Sequence, residues 1–260
     1  MIGIFGGSGF YSLLDNAEVI TRETPFGMPS SPVTVGTIGK HEVAFIARHG
    51  VQHEFPPHRI PYKANIYAFR ELGVTRIIAP TAVGSLKRVI EPGHFVVPDQ
   101  FVNFAARDDT FYNEMPVTHV SAADPYCPEL REMIINMARK LEMPLHDRGT
   151  VVVVQGPRFA TRAESALYRS HGWDIINMTQ YPEVVLAREM EMCYANISLV
   201  TDYDVGVRED ANIKSVSAEE VSRVFHENSE RVKRLIFDCI PNLPDVRSCN
   251  CKNALESARF

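Results

Sequence analysis

Runs of apolar residues recur along the chain, each bounded by polar or turn-forming residues. IGIF (2–5), VTVGTI (33–38), EVAFIA (42–47), RIIAPTAV (76–83), HFVVP (94–98), TVVVVQG (150–156), DIINM (174–178) and ANISLVT (195–201) read as strands. Several are continuously apolar, as strands covered on both faces are. Between them, segments 62–72, 128–142, 161–171, 182–192 and 217–239 repeat apolar residues at helical spacing. The last begins Ser217 with Glu220 three residues on, the spacing of a capping box. Strands alternating with helices predict one α/β domain around a largely parallel central sheet. The domain is expected over residues 1–240. Residues 241–260 are polar and Pro-containing, and are expected to run over the surface as an extension.

Composition narrows the picture. A chain of 260 residues can bury a large core, and its 45% hydrophobic content is that of an ordinary globular protein. A net charge of −5 supplies no bulk positive field for nucleic acid or an anionic membrane. No apolar run is long enough to span a bilayer, and MIGIFGGSGF does not read as a secretory signal. A cytoplasmic protein is expected. The cysteines are 127, 193, 239, 249 and 251, too few for a disulfide-rich scaffold of this size. Cys193 opens an apolar strand and reads as a buried thiol. Cys249 and Cys251 form C-N-C. That spacing is short for a zinc knuckle, and two ligands do not make a site. Exposed thiols and a C-x-C disulfide or redox element both remain open.

In α/β folds ligands bind at the carboxyl ends of strands, and here these ends are chemically rich. GGSGF follows the first strand. It fits neither the dinucleotide fingerprint nor the nucleophile elbow, but its backbone N–H groups and Ser8 can cradle an anion. Arg48 and His49 follow the third strand and open a loop that also holds His53 and His58. The His spacings and intervening prolines suit metal binding less well than Arg48 and His49 suit an oxyanion. RIIAPTAV carries Thr81 and Ala82. QGPRF puts Phe159 where an aromatic ring can stack on a flat base. INMT supplies Asn177, Met178 and Thr179, with Met178 fit to lie against a sugar face. The strand SLVTDYD ends in Asp202 and Asp204. If it stays extended, both carboxylates share one side. In a closed pocket such a pair repels, so one member keeps its proton. That leaves one donor and one acceptor side by side, matching a purine N7 and 6-amino group. Paired carboxylates of a glycoside hydrolase are a weaker reading, since no aromatic-rich sugar groove is evident.

In that order, GGSGF, RHG-x-x-H-x-x-PPH, TAVGSL, PGHFVVPDQF, QGPRF-x-T-RAE, INMT-x-x-PEV-x-LAREM and TDYD resemble the 5'-methylthioadenosine phosphorylases, a branch of the purine nucleoside phosphorylases. The likeness runs from Ile2 to about Cys239. It implies an α/β fold with a central mixed sheet, a homotrimer or hexamer, no metal and no organic cofactor. Inorganic phosphate is then a substrate. The resemblance puts Ser8, Arg48, His49, Thr81 and Thr179 around phosphate. It puts Ala82, Phe159, Asn177, Met178, Asp202 and Asp204 around the nucleoside. His119 matches a residue lent to a neighbouring subunit's site, and Ala218 a small residue lining the methylthio pocket. Ser8 stands where other members carry Thr, and Pro61 where Asn is common. The C-x-C tail also occurs in members of the family, where it implies a disulfide device. The implied reaction is phosphorolysis of methylthioadenosine to adenine and 5-methylthioribose 1-phosphate, catalysed through Asp202 and Asp204. A broad purine nucleoside phosphorylase is the alternative within the same fold. A nucleosidase using water would not need the Arg48–His49 anion corner.

Overall fold

A computed structural model describes residues 1–6, 15–205 and 216–259. The strands are β1 (Ile2–Gly6), β2 (Asp15–Ile20), β3 (Val33–Ile38), β4 (His41–Ala47), β5 (Arg76–Ser85), β6 (Phe95–Val96), β7 (Gln100–Phe104), β8 (Leu145–His146), β9 (Thr150–Val154), β10 (Ile175–Asn177) and β11 (Cys193–Asp202). The helices are α1 (Tyr62–Glu71), α2 (Pro128–Lys140), α3 (Arg162–Ser170), α4 (Gln180–Glu189) and α5 (Ala218–Cys239). The sheet is mixed, in the order β2-β3-β4-β1-β5-β10-β9-β7, with β11 branching from β5 and carrying β6 and then β8. Each long apolar run has become a covered strand; every residue of β11 is buried. Among the described residues no helix is long and apolar enough to cross a membrane.

The branch at β5 makes the cleft. Along one edge β5 pairs with β11 from Arg76 to Gly84. Along the other it pairs with β1 only at Arg76–Ile78, and with β10 only at Gly84 and Ser85. Between these two pairings, Ala79 to Val83 have no strand on that edge among the described residues, and side chains take over. Pro80 sits in this gap, where the missing proline N–H breaks no ladder.

The tail differs from expectation. Leu243, Cys249, Cys251 and Ala258 are buried, and the first three join the apolar cluster beneath α2 and α5. Val246 stays exposed, but these four turn inward, so both thiols of C-N-C are covered rather than exposed. At α5, Ser217 Oγ accepts from the Glu220 N–H at 3.2 Å. A full capping box stands instead at α3, between Thr161 and Glu164.

Candidate active site

The side chains that fill the gap beside β5 are those singled out at the strand ends. Arg48 follows β4 and is buried. Its Nη1 donates to the Pro80 carbonyl at 2.9 Å. Its Nε and Nη2 form a fork onto the two oxygens of Glu183, the second at 3.1 Å. Glu183 lies on α4, wholly buried, and also accepts from Tyr194 Oη at 2.9 Å. Burial opposes the charge on Arg48, but the Glu183 carboxylate outweighs it and raises the guanidinium pKa. Arg48 is therefore a compensated cation. One N–H on each terminal nitrogen is left to face an anion.

His49 stands beside it. Its Nδ1 lies 2.9 Å from the Phe55 carbonyl. A carbonyl only accepts, so the ring proton sits on Nδ1, and the Nε2 lone pair has no partner among the described residues. Burial lowers this pKa to about 4, and the ring is neutral near pH 7. His53 stacks on it at 4.4 Å between ring centroids.

Thr81 is buried in a polar network that the sequence did not disclose. Its hydroxyl donates to Asn196 Oδ1 at 3.2 Å and receives Gln180 Nε2 at 3.4 Å. Gln180 also donates to Ser198 Oγ at 3.1 Å and accepts from Tyr126 Oη at 2.6 Å. Asn177 ends β10. Its Nδ2 donates to the Ala82 carbonyl at 2.9 Å, filling the gap directly. Its Oδ1 accepts from the N–H groups of Thr179 and Gln180 at 2.7 and 2.8 Å, which caps α4. The Thr179 hydroxyl points to the same Oδ1 at 3.4 Å.

Arg107, also missed from sequence, ties two site loops together. It donates to the Met178 carbonyl at 2.7 Å, the Tyr181 carbonyl at 2.6 Å and the Gln155 carbonyl at 2.8 Å. Met178 approaches Gly156 so closely that a Cβ there would lie 2.6 Å from its Sδ. The φ of +65° at Gly156 makes any other residue strained as well.

The two aspartates do not lie as a continuous strand would put them. The β11 register slips between Val200 and Asp202, the strand ends at Asp202, and Asp204 has φ +52°. The carboxylates converge through a turn: the Asp204 N–H donates to Asp202 Oδ1 at 2.7 Å. Asp202 Oδ2 accepts from Thr201 Oγ1 at 2.8 Å. Both pack against Gly84, where a Cβ would lie 2.9 Å from Asp202 Oδ1 and 3.3 Å from the Asp204 Cβ. Burial raises the Asp202 pKa to about 6. It raises that of Asp204 too. Asp204 Oδ2 is buried with no hydrogen-bond partner among the described residues. Ser165 Oγ influences this carboxyl but falls outside hydrogen-bond geometry, and is itself unpartnered among those residues.

The remaining predicted residues are more scattered. Phe159 is 37% exposed on the loop before α3, not packed in the core. Ala218 is exposed at the first position of α5. Ser8 lies outside the described residues. His119 sits between β7 and α2, its N–H on the Ala258 carbonyl at 2.7 Å. It lines an open cleft of about 670 Å³ with Tyr112, Met115, Arg188 and Glu189, and none of the other predicted site residues line that cleft.

Arg48, Thr81, Asn177 and the aspartate pair are thus strung along β5 from Pro80 to Gly84. Four residues of extended chain span about 13 Å, room for a phosphate, a pentose and a purine in series. A sequence model of the phosphorylase superfamily matches residues 1–241. The S-methyl-5'-thioadenosine phosphorylase of Thermofilum pendens is 54% identical over 260 residues, 99% of this chain and 97% of that one. The enzyme of the same name from Pyrococcus horikoshii is 53% identical over 257 residues, 98% of both chains. The crystallised methylthioadenosine phosphorylase of Schistosoma mansoni, in complex with adenine, superposes with a TM-score of 0.92 at 33% identity, over 99% of this chain and 98% of that one.

Proposed function

The chain belongs to the phosphorylase superfamily, and on that premise we propose that it cleaves S-methyl-5'-thioadenosine with inorganic phosphate, giving adenine and 5-methylthioribose 1-phosphate. The observation that carries this reading is the buried Asp202–Asp204 pair against Gly84. A carboxyl titrating at about 6 can hold a proton near neutrality, and that proton goes to purine N7 as the glycosidic bond breaks. Neutralising the departing base is worth roughly 10²–10⁴ in rate. Thr201 and the Asp204 N–H hold the plane of the carboxyl, so its free lone-pair positions face the ligand. The unpartnered Asp204 Oδ2 accepts from the 6-amino group.

Phosphate sits at the Arg48–His49 end. It takes the remaining Arg48 N–H groups, the Ser8 hydroxyl, and the hydroxyls of Thr81 and Thr179 once these turn from Asn196 and Asn177. His49 Nε2 accepts a hydrogen bond from the hydroxyl that phosphate still carries, which orients the attacking oxygen. As the base leaves, C1' gains positive character and phosphate attacks from the opposite face. Positioning and fixed dipoles supply the catalysis, with no covalent enzyme intermediate. Phe159 stacks on the base, and Asn177 and Met178 border the pentose with Ala82. Ala218 lines the methylthio end.

The reaction needs no organic cofactor and no catalytic metal, since the charges that develop are met by the chain's own groups. A cytoplasmic setting goes with phosphate as co-substrate. His119 completes the 5' end of a neighbouring subunit's site in a homotrimer or hexamer. Met115 and Val117, on the same loop, are 89% and 49% exposed and offer apolar surface for that contact.

Phosphorus NMR of a mixture of protein, methylthioadenosine and phosphate tests the chemistry. A new sugar 1-phosphate signal growing in step with free adenine supports phosphorolysis. Adenine released with no new phosphate ester would make the enzyme a hydrolase, and the role given to Arg48 and His49 would fall.

A further inference from the structure

Two buried polar atoms beside the aspartate pair lack partners among the described residues: Asp204 Oδ2 and Ser165 Oγ. They come from elements docked on each other. Of the nine residues of α3, only Ser165 and Tyr168 are buried, Ser165 to 2% exposure. Tyr168 joins an apolar cluster with Leu86, Val152 and Ile176. The helix thus lays one ring and one hydroxyl on the body. Its start is tied to the aspartate turn, where Arg162 Nη1 donates to the Val205 carbonyl at 3.1 Å.

A serine inside a helix can turn its hydroxyl back to the carbonyl four residues before. Here the Thr161 carbonyl takes the Ser165 N–H at 2.9 Å, and the hydroxyl, unpartnered among the described residues, does not join it. An unpaired hydroxyl in such a place carries a cost that alanine would avoid. The Asp204 backbone is fixed on both sides. Its N–H goes to Asp202 Oδ1, and its carbonyl accepts from the Val216 N–H at 3.0 Å. The carboxyl is the part left to adjust, and the nearby Ser165 hydroxyl favours its ionised form.

The other charges that face the pair are already compensated. Glu164 on α3 and Glu220 on α5 both act on it. Glu164 is held in a fork by Arg158, at 2.8 and 2.7 Å. Glu220 is held by Arg223, at 3.0 and 2.6 Å. Burial keeps the Tyr168 phenol protonated. Thr201 and the Asp204 N–H donate to Asp202, and these two donors alone would draw the negative charge to Asp202. A donor on Asp204 opposes that.

On the proposed reading of the pair as the purine end of the site, the geometry points to Ser165 as the positioning residue that makes the pair asymmetric: a turn about its Cα–Cβ bond sets the hydroxyl on Asp204 Oδ2, which keeps Asp204 an acceptor and leaves the shared proton on Asp202. Serine reaches such a rotamer without strain. Oδ2 has lone pairs for both donors, Ser165 on one and the 6-amino group on the other. A 6-oxo group would meet that oxygen with its own lone pair. Ser165 therefore acts on base choice through Asp204, without touching the base.

Carbon-13 NMR of the full chain, labelled at the aspartate carboxyl carbon, tests this without turnover. Asp202→Asn and Asp204→Asn assign the two signals. Ser165→Ala should raise the Asp204 titration midpoint by about one pH unit, as loss of one hydrogen bond to a carboxylate does, and lower that of Asp202. Ser165→Cys fills the space with a weak donor and should follow Ser165→Ala. Ser165→Thr keeps the hydroxyl and should follow the parent. The inosine-to-adenosine ratio of kcat/KM should rise about tenfold in Ser165→Ala and Ser165→Cys, and hold in Ser165→Thr. An Asp204 midpoint unmoved in Ser165→Ala, or variants that sort by size rather than by donor, would overturn the assignment. Methylthioadenosine left uncut by the parent chain would sink the proposed reaction instead, and the carboxyl titrations would still decide the role of Ser165.

Discussion

Burial raises the Asp202 carboxyl from 3.8 to about 6, and the consequence reaches both rate and stability. Between those two values the folded protein keeps a proton that the unfolded chain has lost. Stability from this group therefore falls as pH rises through the window, by at most about 3 kcal/mol. Asp202→Asn should lower kcat roughly 10²–10⁴-fold. It should also raise the denaturation midpoint above pH 6, with the gain vanishing below about pH 4. Urea melts of both proteins at pH 4, 6 and 8 check it. His49 works in the other direction. Its pKa is depressed from 6.5 to about 4, so the stability it contributes is complete above 6.5 and is lost as pH falls toward 4. His49→Asn should flatten that acid slope. Asp204→Asn turns an acceptor into a possible donor and should move the inosine-to-adenosine rate ratio toward inosine. An unchanged ratio would remove Asp204 from base recognition. Gly84 admits both carboxyls to β5. Gly84→Ala should displace them and cost up to about 10² in kcat while the protein stays folded by circular dichroism.

At the scale of elements, α4 links the site together. Asn177 caps it while filling the Ala82 edge of the gap, and Glu183 on its first turn compensates Arg48. Glu183→Gln leaves the Arg48 charge buried without its partner, and breaking such a pair costs about 3–5 kcal/mol. Chemical denaturation should show that loss, and added phosphate should restore part of it by binding the folded form. The elements themselves were legible where apolar runs were long: β1, β5, β9 and β11 lie where the hydrophobic pattern placed them. DNAEVI of β2 was not legible, because an exposed edge strand carries no buried face to mark it. Arg48 and His49 stood out as adjacent cationic types after an apolar strand. Glu183, Gln180 and Arg107 did not. A carboxylate on a helix reads as surface, and only the fold shows that it faces a buried arginine. The left-handed turn at Asp204 was equally hidden, since it depends on the slip in β11 register.

For the whole molecule, the branched sheet explains why the site lies where it does. Among the described residues β5 is paired along one edge and open in the middle of the other, and Arg48 after β4 and Asn177 of β10 reach the carbonyls in the opening. The tail is packed onto the same body: Leu243, Cys249 and Cys251 complete the cluster under α2 and α5. A chain built this way predicts a phosphate-dependent purine release specific for 6-amino substrates. The most direct measurement is adenine release from methylthioadenosine with and without phosphate, with inosine run alongside. The account predicts release that requires phosphate, with little turnover of inosine. Release at the same rate without phosphate, or inosine cleaved as fast as methylthioadenosine, would contradict it.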